Sequence, residues 1–125
     1  MRHCLIVDDS DVIRKVARRV LEDLHFTSTE AEHADEAMEF CKRAMPDLIL
    51  LDWHMPQRPA LDFLAELRHA PGGDQPIVIY CTTENDAADI ALARKKGANE
   101  ILMKPFDGDS LQRKLRQAGV SARPD

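Results

Sequence analysis

Short apolar runs alternate with amphipathic stretches along the whole chain. Five runs are short enough to be strands: HCLIVDD (3–9), TSTEA (27–31), DLILLD (47–52), PIVIYCT (76–82) and EILMK (100–104). The first, third and fourth are continuous rather than alternating, the pattern of strands covered on both faces of a parallel sheet. Between the first two runs, Ile13, Val16, Ala17, Val20, Leu21 and Leu24 recur at helical spacing over 10–24. Ser10 is placed to cap that helix, and Arg14, Lys15, Arg18 and Arg19 are expected to face outward. Further helices are expected over 35–44, with Asp35 as cap, and over 60–69, 86–96 and 108–118. The fourth places Ala87, Ala88, Ile90, Ala91 and Ala93 on its apolar face and stops at Gly97, and the fifth carries Leu111 and Leu115 and stops at Gly119. Strands alternating with helices through right-handed crossovers give an α/β fold, a doubly wound five-stranded parallel sheet with five helices.

Composition narrows the class without changing the fold. The length of 125 residues fits one domain, expected over 1–120 with 121–125 as a C-terminal tail and no appended output or DNA-binding module. A net charge of −5 argues against generic nucleic-acid binding. No apolar stretch is long enough for a membrane span, and the amino terminus reaches two aspartates too soon to be a signal peptide. Cys4, Cys41 and Cys81 are widely spaced and odd in number, as expected of small buried hydrophobes in a reducing cytosol, so a cytoplasmic location is expected. His3, His25, His33 and His69 form no ligand spacing and are expected at surfaces or element boundaries.

The chemistry gathers at the strand ends. Ligands of a doubly wound sheet bind outside the carboxyl ends of its strands. Here the first run ends at Asp8 and Asp9, the third at Asp52, the fourth at Thr82 and Thr83, and the fifth at Lys104. A carboxylate closing an apolar strand costs free energy unless it is paired or binds a cation. Three clustered carboxylates with oxygen-only ligation favour a hard divalent ion such as Mg2+. With a lysine and a threonine beside them, the set suits a phosphoryl group: Asp52 as nucleophile, with Lys104, Thr82 and the metal stabilising charge on the phosphoryl oxygens.

LIVDDS, LILLDWHMP, YCTTEN and MKPF, in that order, resemble the receiver domain of two-component response regulators, of the single-domain CheY-like kind with a flavodoxin-like fold. "DD" after a strand is often only a turn, and a lysine before proline is often a solvated loop residue. The four motifs together, each at a strand end, are far more specific. The resemblance implies transfer of phosphate to Asp52 from a sensor histidine kinase or a histidine phosphotransfer protein. It implies Mg2+ held by Asp9 and Asp52, by Asp8 directly or through water, and by the backbone carbonyl of His54. It also implies a cis Lys104–Pro105 bond, and an acyl-phosphate lifetime tuned by the side chains of His54 and Glu84. The output would be a protein contact through the fourth helix, fifth strand and fifth helix.

Two positions depart from the receiver pattern. Ala60 stands where a glycine is usual, so this position cannot use positive φ cheaply. Ile101 replaces an aromatic that swings inward in chemotaxis receivers, so coupling from Thr82 is expected to be weaker or to run through Thr83 and the following loop. Two rivals follow. One is a phosphorylation-independent pseudo-receiver that binds a protein, or an anionic ligand such as a cyclic dinucleotide, through Arg94, Lys95, Lys96, Arg113, Lys114 and Arg116. The other is a phosphatase of related topology, disfavoured because His54 stands where its acid/base aspartate is needed.

Overall fold

The computed structural model describes residues 2–55, 57–83 and 86–120. Five strands and five helices alternate: β1 (His3–Val7), α1 (Asp11–Asp23), β2 (Thr27–Ala31), α2 (Ala34–Arg43), β3 (Leu48–Asp52), α3 (Ala60–His69), β4 (Ile77–Thr82), α4 (Ala87–Lys96), β5 (Glu100–Met103) and α5 (Gly108–Gln117). The strands form one parallel sheet in the order β2-β1-β3-β4-β5. The chain leaves β1 toward β2 on one side and returns to β3 on the other, so the topological switch point lies between β1 and β3. The doubly wound fold is the one the alternation predicts. No helix among the described residues is long and apolar enough to cross a membrane.

Alternation along each strand divides the core into two layers. Cys4, Ile6, Leu48, Leu50, Ile79 and Cys81 pack against Ala17, Leu21, Leu111 and Leu115 of α1 and α5. Leu5, Val7, Ile49, Leu51, Val78 and Tyr80 pack against α2, α3 and Ala93 of α4. Every residue of β3 is buried, which explains its continuous apolar run. The polar TSTEA strand is legible as an edge: β2 pairs only with β1. All three cysteines are free and buried, and burial pushes the thiols up, Cys41 to about 11 and Cys81 to about 12.

Two expectations about helices need correction. The cap of α2 is His33, whose Nδ1 accepts from the Glu36 N–H at 3.3 Å, rather than Asp35. The helix starts one residue early because Ala34 is buried against the sheet, and Asp35 falls in the first turn, where a carboxylate favours the helix dipole. In α4, only Ala93 of the expected apolar face is buried, while Leu92 is 41% exposed. Alanines remove little apolar area each, so they do not draw the whole helix inward. Ser10 does cap α1, accepting from the Ile13 N–H at 3.3 Å.

Arg68 joins the turns at the opposite edge of the sheet from the strand carboxyl ends. Its guanidinium donates to the carbonyls of Gly73 at 2.9 Å, Pro76 at 2.8 Å and Gly97 at 2.7 Å, and to Asn99 Oδ1 at 3.0 Å. Gly97 closes α4 at φ 122°, where a Cβ would meet the Arg68 side chain at 2.8 Å. Glycine is required there on both counts.

Phe63 of α3 is completely buried in the larger layer. Phe63→Ala is expected to destabilise by about 3–5 kcal/mol, seen as a lower urea midpoint at an unchanged m-value. A loss under about 1 kcal/mol would mean that the layer collapses around the gap.

Candidate functional site

Asp8 and Asp9 follow β1 directly and Asp52 ends β3, so three carboxylates meet at the switch point. Their nearest oxygens all lie within 4.8 Å of one another. Asp8 and Asp52 are buried, at 3% and 2% exposure, while Asp9 is exposed. The Lys104 ammonium lies 2.9 Å from Asp8 Oδ2 and 2.9 Å from Asp52 Oδ1. Lys104 reaches them because β5 ends one residue earlier, and its own N–H is held by the Thr82 carbonyl at 2.8 Å. The Lys104–Pro105 bond is cis, as the resemblance implies.

Asp8 is fixed at every polar group. Its N–H donates to the Ala31 carbonyl at 3.0 Å, Oδ1 accepts from the Ser10 N–H at 2.9 Å, and Oδ2 accepts from Lys104. Its carbonyl accepts from Arg14 at 2.6 Å. Arg14 is therefore a correction to the expected outward face of α1: it is 6% exposed and also bonded to Glu30 and Asp11. The helical spacing of Arg14, Ala17 and Leu21 puts it on the core side, and Glu30 of β2 meets it there. Arg18 is engaged as well, 2.7 Å from Glu30, which leaves Lys15 and Arg19 as the exposed cations of that stretch.

Burial pushes the Asp52 carboxyl above its ordinary range, and the nearby Asp8 charge adds to that. Hydrogen bonds from Lys104 and from the His54 backbone oppose the rise without cancelling it. For Lys104, burial alone would lower the ammonium pKa, but its bonds to Asp8 and Asp52 outweigh burial and raise it. One ammonium cannot neutralise three carboxylates, and an all-oxygen donor set with residual negative charge fits a hard divalent cation.

Thr82 is buried at the end of β4, beside Met103 of β5 in the sheet register. His54 is exposed, its ring 5.4 Å from that of Trp53. Glu84 and Pro56 lie outside the described residues. In the β3–α3 loop the positive φ falls on Gln57, at 74°, and Ala60 is a buried first residue of α3. The missing glycine at 60 therefore costs no backbone strain, since a helical φ suits alanine.

Fold and cluster together define a doubly wound α/β domain with a cation-ready acidic site at its switch point. The family model for the response regulator receiver domain matches residues 4–116. The chain is 34% identical over 113 residues to the chemotaxis protein CheY1 of Helicobacter pylori, covering 89% of this chain and 91% of that protein. It is 33% identical over 110 residues to the chemotaxis protein CheY of Halobacterium salinarum, covering 88% and 90%. The chemotaxis response regulator CheY4 of Vibrio cholerae superposes with a TM-score of 0.89 at 27% identity, over 94% of this chain and 98% of that one. The chain belongs to the response regulator receiver family of two-component signalling and is CheY-like.

A carboxyl whose folded pKa is raised binds more protons folded than unfolded, so stability falls as pH rises from the ordinary aspartate range through the folded value. Asp52→Asn, a neutral near-isostere, should therefore raise the metal-free Tm at neutral pH. The difference from wild type should vanish below the ordinary aspartate range, where Asp52 is protonated in both states. Thermal scans across pH test this, and a lower Tm for Asp52→Asn at neutral pH would contradict it.

Proposed function

We propose that residues 1–120 form a receiver phosphorylated on Asp52 by a histidine kinase or a histidine phosphotransfer protein, and that the modification switches protein contacts in a phosphorelay. The observation that carries this reading is the Lys104 ammonium, 2.9 Å from both Asp8 and Asp52, with Asp9 alongside. It sets a nucleophile, a counter-charge and an oxygen donor set at one point.

In the proposed step an Asp52 carboxylate oxygen bonds to phosphorus as the P–N bond to the donor histidine breaks, and the histidine nitrogen keeps the electron pair. The side chains of Asp8, Asp9 and Asp52 and the His54 carbonyl would hold Mg2+. When bound, the ion offsets the carboxylate charge and the charge spread over the phosphoryl oxygens. Lys104 exchanges its bond to Asp52 for one to a phosphoryl oxygen, and the Thr82 hydroxyl donates to another. The side chains of His54 and Glu84 tune how long the acyl phosphate lasts.

The output reading is a protein contact at α4, β5 and α5. Leu92 and Met103 supply exposed apolar area on these elements, at 41% and 38% exposure. Among the basic residues there, Arg94 lies 3.2 Å and Lys114 3.6 Å from Glu100. That internal pairing reduces the charge on offer to an anionic ligand and favours a protein partner.

Intact mass after incubation with a small phosphodonor and Mg2+ tests the central step. One added phosphate is expected on the native protein, none on Asp52→Asn, and none when EDTA is present. A native protein that accepts phosphate neither from small donors nor from a panel of histidine phosphotransfer proteins, while a control receiver is modified, would sink the reading in favour of a pseudo-receiver.

A further inference from the structure

Arg14 has no part in the chemistry just described, yet it is among the most fully engaged side chains near it. Its Nη1 donates to the Asp8 carbonyl at 2.6 Å and its Nε to Glu30 Oε1 at 2.9 Å. Nη2 pairs with Asp11 and lies 3.7 Å from Glu32. Glu30 is held a second time, by Arg18 at 2.7 Å. A guanidinium at 6% exposure persists only when its donors are met, and here they are met by one carbonyl and carboxylates from two elements. The result is a rigid link from the edge strand β2 to the backbone of Asp8.

The link bears on the acidic cluster in a way that charge alone would not. Three close carboxylates repel, and left to themselves they would spread apart. Of the four bonds that fix Asp8, those from Lys104 and Ser10 go to carboxylate oxygens, which a cation would compete for. The bonds from Arg14 and to Ala31 engage the backbone and leave both carboxylate oxygens to a cation. As a charge, however, a guanidinium bonded to the Asp8 backbone opposes a second cation at the Asp8 carboxylate. Positioning and electrostatics thus make opposite predictions for removing Arg14.

We infer that Arg14 is a positioning residue for the metal site: by clamping the Asp8 carbonyl to Glu30 of β2, it fixes the backbone from which Asp8 and Asp9 present their carboxylates beside Asp52 before any cation binds. The inference rests on the proposed reading of Asp8, Asp9 and Asp52 as Mg2+ ligands.

The test is a Mg2+ titration of the unphosphorylated protein, followed by the emission of Trp53, next to Asp52, and by calorimetry. Arg14→Met should weaken Mg2+ binding roughly tenfold, the usual effect of losing a residue that orients a ligand. Arg14→Lys keeps the charge but loses the fork, and Glu30→Gln keeps Arg14 but loosens its anchor. Both should weaken binding by a smaller factor, and Arg14→Lys, which leaves the net charge unchanged, carries the test if Arg14→Met fails to fold. Two controls separate other causes. Lys15→Met removes an exposed neighbouring charge and should bind Mg2+ as tightly as wild type or tighter, while Leu64→Val should lower Tm with Mg2+ affinity unchanged. Wild-type affinity in Arg14→Lys and Glu30→Gln, or tighter binding in Arg14→Met, overturns this inference alone. A wild-type protein that binds no Mg2+ overturns the ligand reading, and this inference with it.

Discussion

The Lys104 ammonium, shared between the carboxylates of Asp8 and Asp52, is the interaction on which the carboxyl edge of the sheet depends. Parallel strands bring their carboxyl ends to one edge, so acidic residues that are far apart in sequence become neighbours without any loop having to place them. Helices on both faces exclude water from two of the three carboxylates, and in that setting charges act on each other more strongly than in solvent. Lys104 holds the pair together but leaves negative charge over. The cluster is stable enough to fold and unbalanced enough to favour a cation.

Most of the fold was legible where an element is marked twice, by its apolar period and by the residue that begins or ends it. β3 reads as a buried strand from LILL and stops at Asp52, and α1 begins after the Ser10 cap. The meeting of Asp8, Asp9, Asp52 and Lys104 was legible for the same reason: each stands at or just past a strand end, where topology fixes the neighbourhood. What escaped was set by partners distant in sequence. Arg14 reads as solvent-facing from its charge, and only the pairing of β1 with β2 brings Glu30 to meet it inside. His33 does not stand out as a cap in the sequence because an imidazole acceptor competes poorly with a neighbouring aspartate on propensity, whereas the burial of Ala34 decides where α2 starts.

The departures from the receiver pattern at 60 and 101 have different physical weight. At 60 the backbone is helical and the turn uses Gln57 instead, so the substitution is absorbed locally. At 101 the isoleucine is 6% exposed and packs with Tyr80, Ala93 and Ala98. A β-branched side chain has few rotamers, and a close-packed layer leaves it little room to take another. No aromatic ring stands there to swing between solvent and core.

Ile101, two residues before Met103, the register partner of Thr82, is therefore rigidly packed, whereas α4 is lightly packed. The C-terminal end of α4 is tied down through Gly97, whose carbonyl accepts two bonds from Arg68, at 3.1 and 2.7 Å. Its first turn carries Ala87, Ala88 and Asp89, all exposed, although Asp86 caps it through the Ala88 N–H at 2.8 Å. The helix is anchored at the end far from the acidic cluster and thinly packed at the end beside it. Segments with few buried apolar contacts open or move at the smallest free-energy cost. The same alanines that give α4 little buried apolar area thus leave its first turn lightly held at the carboxyl edge of the sheet.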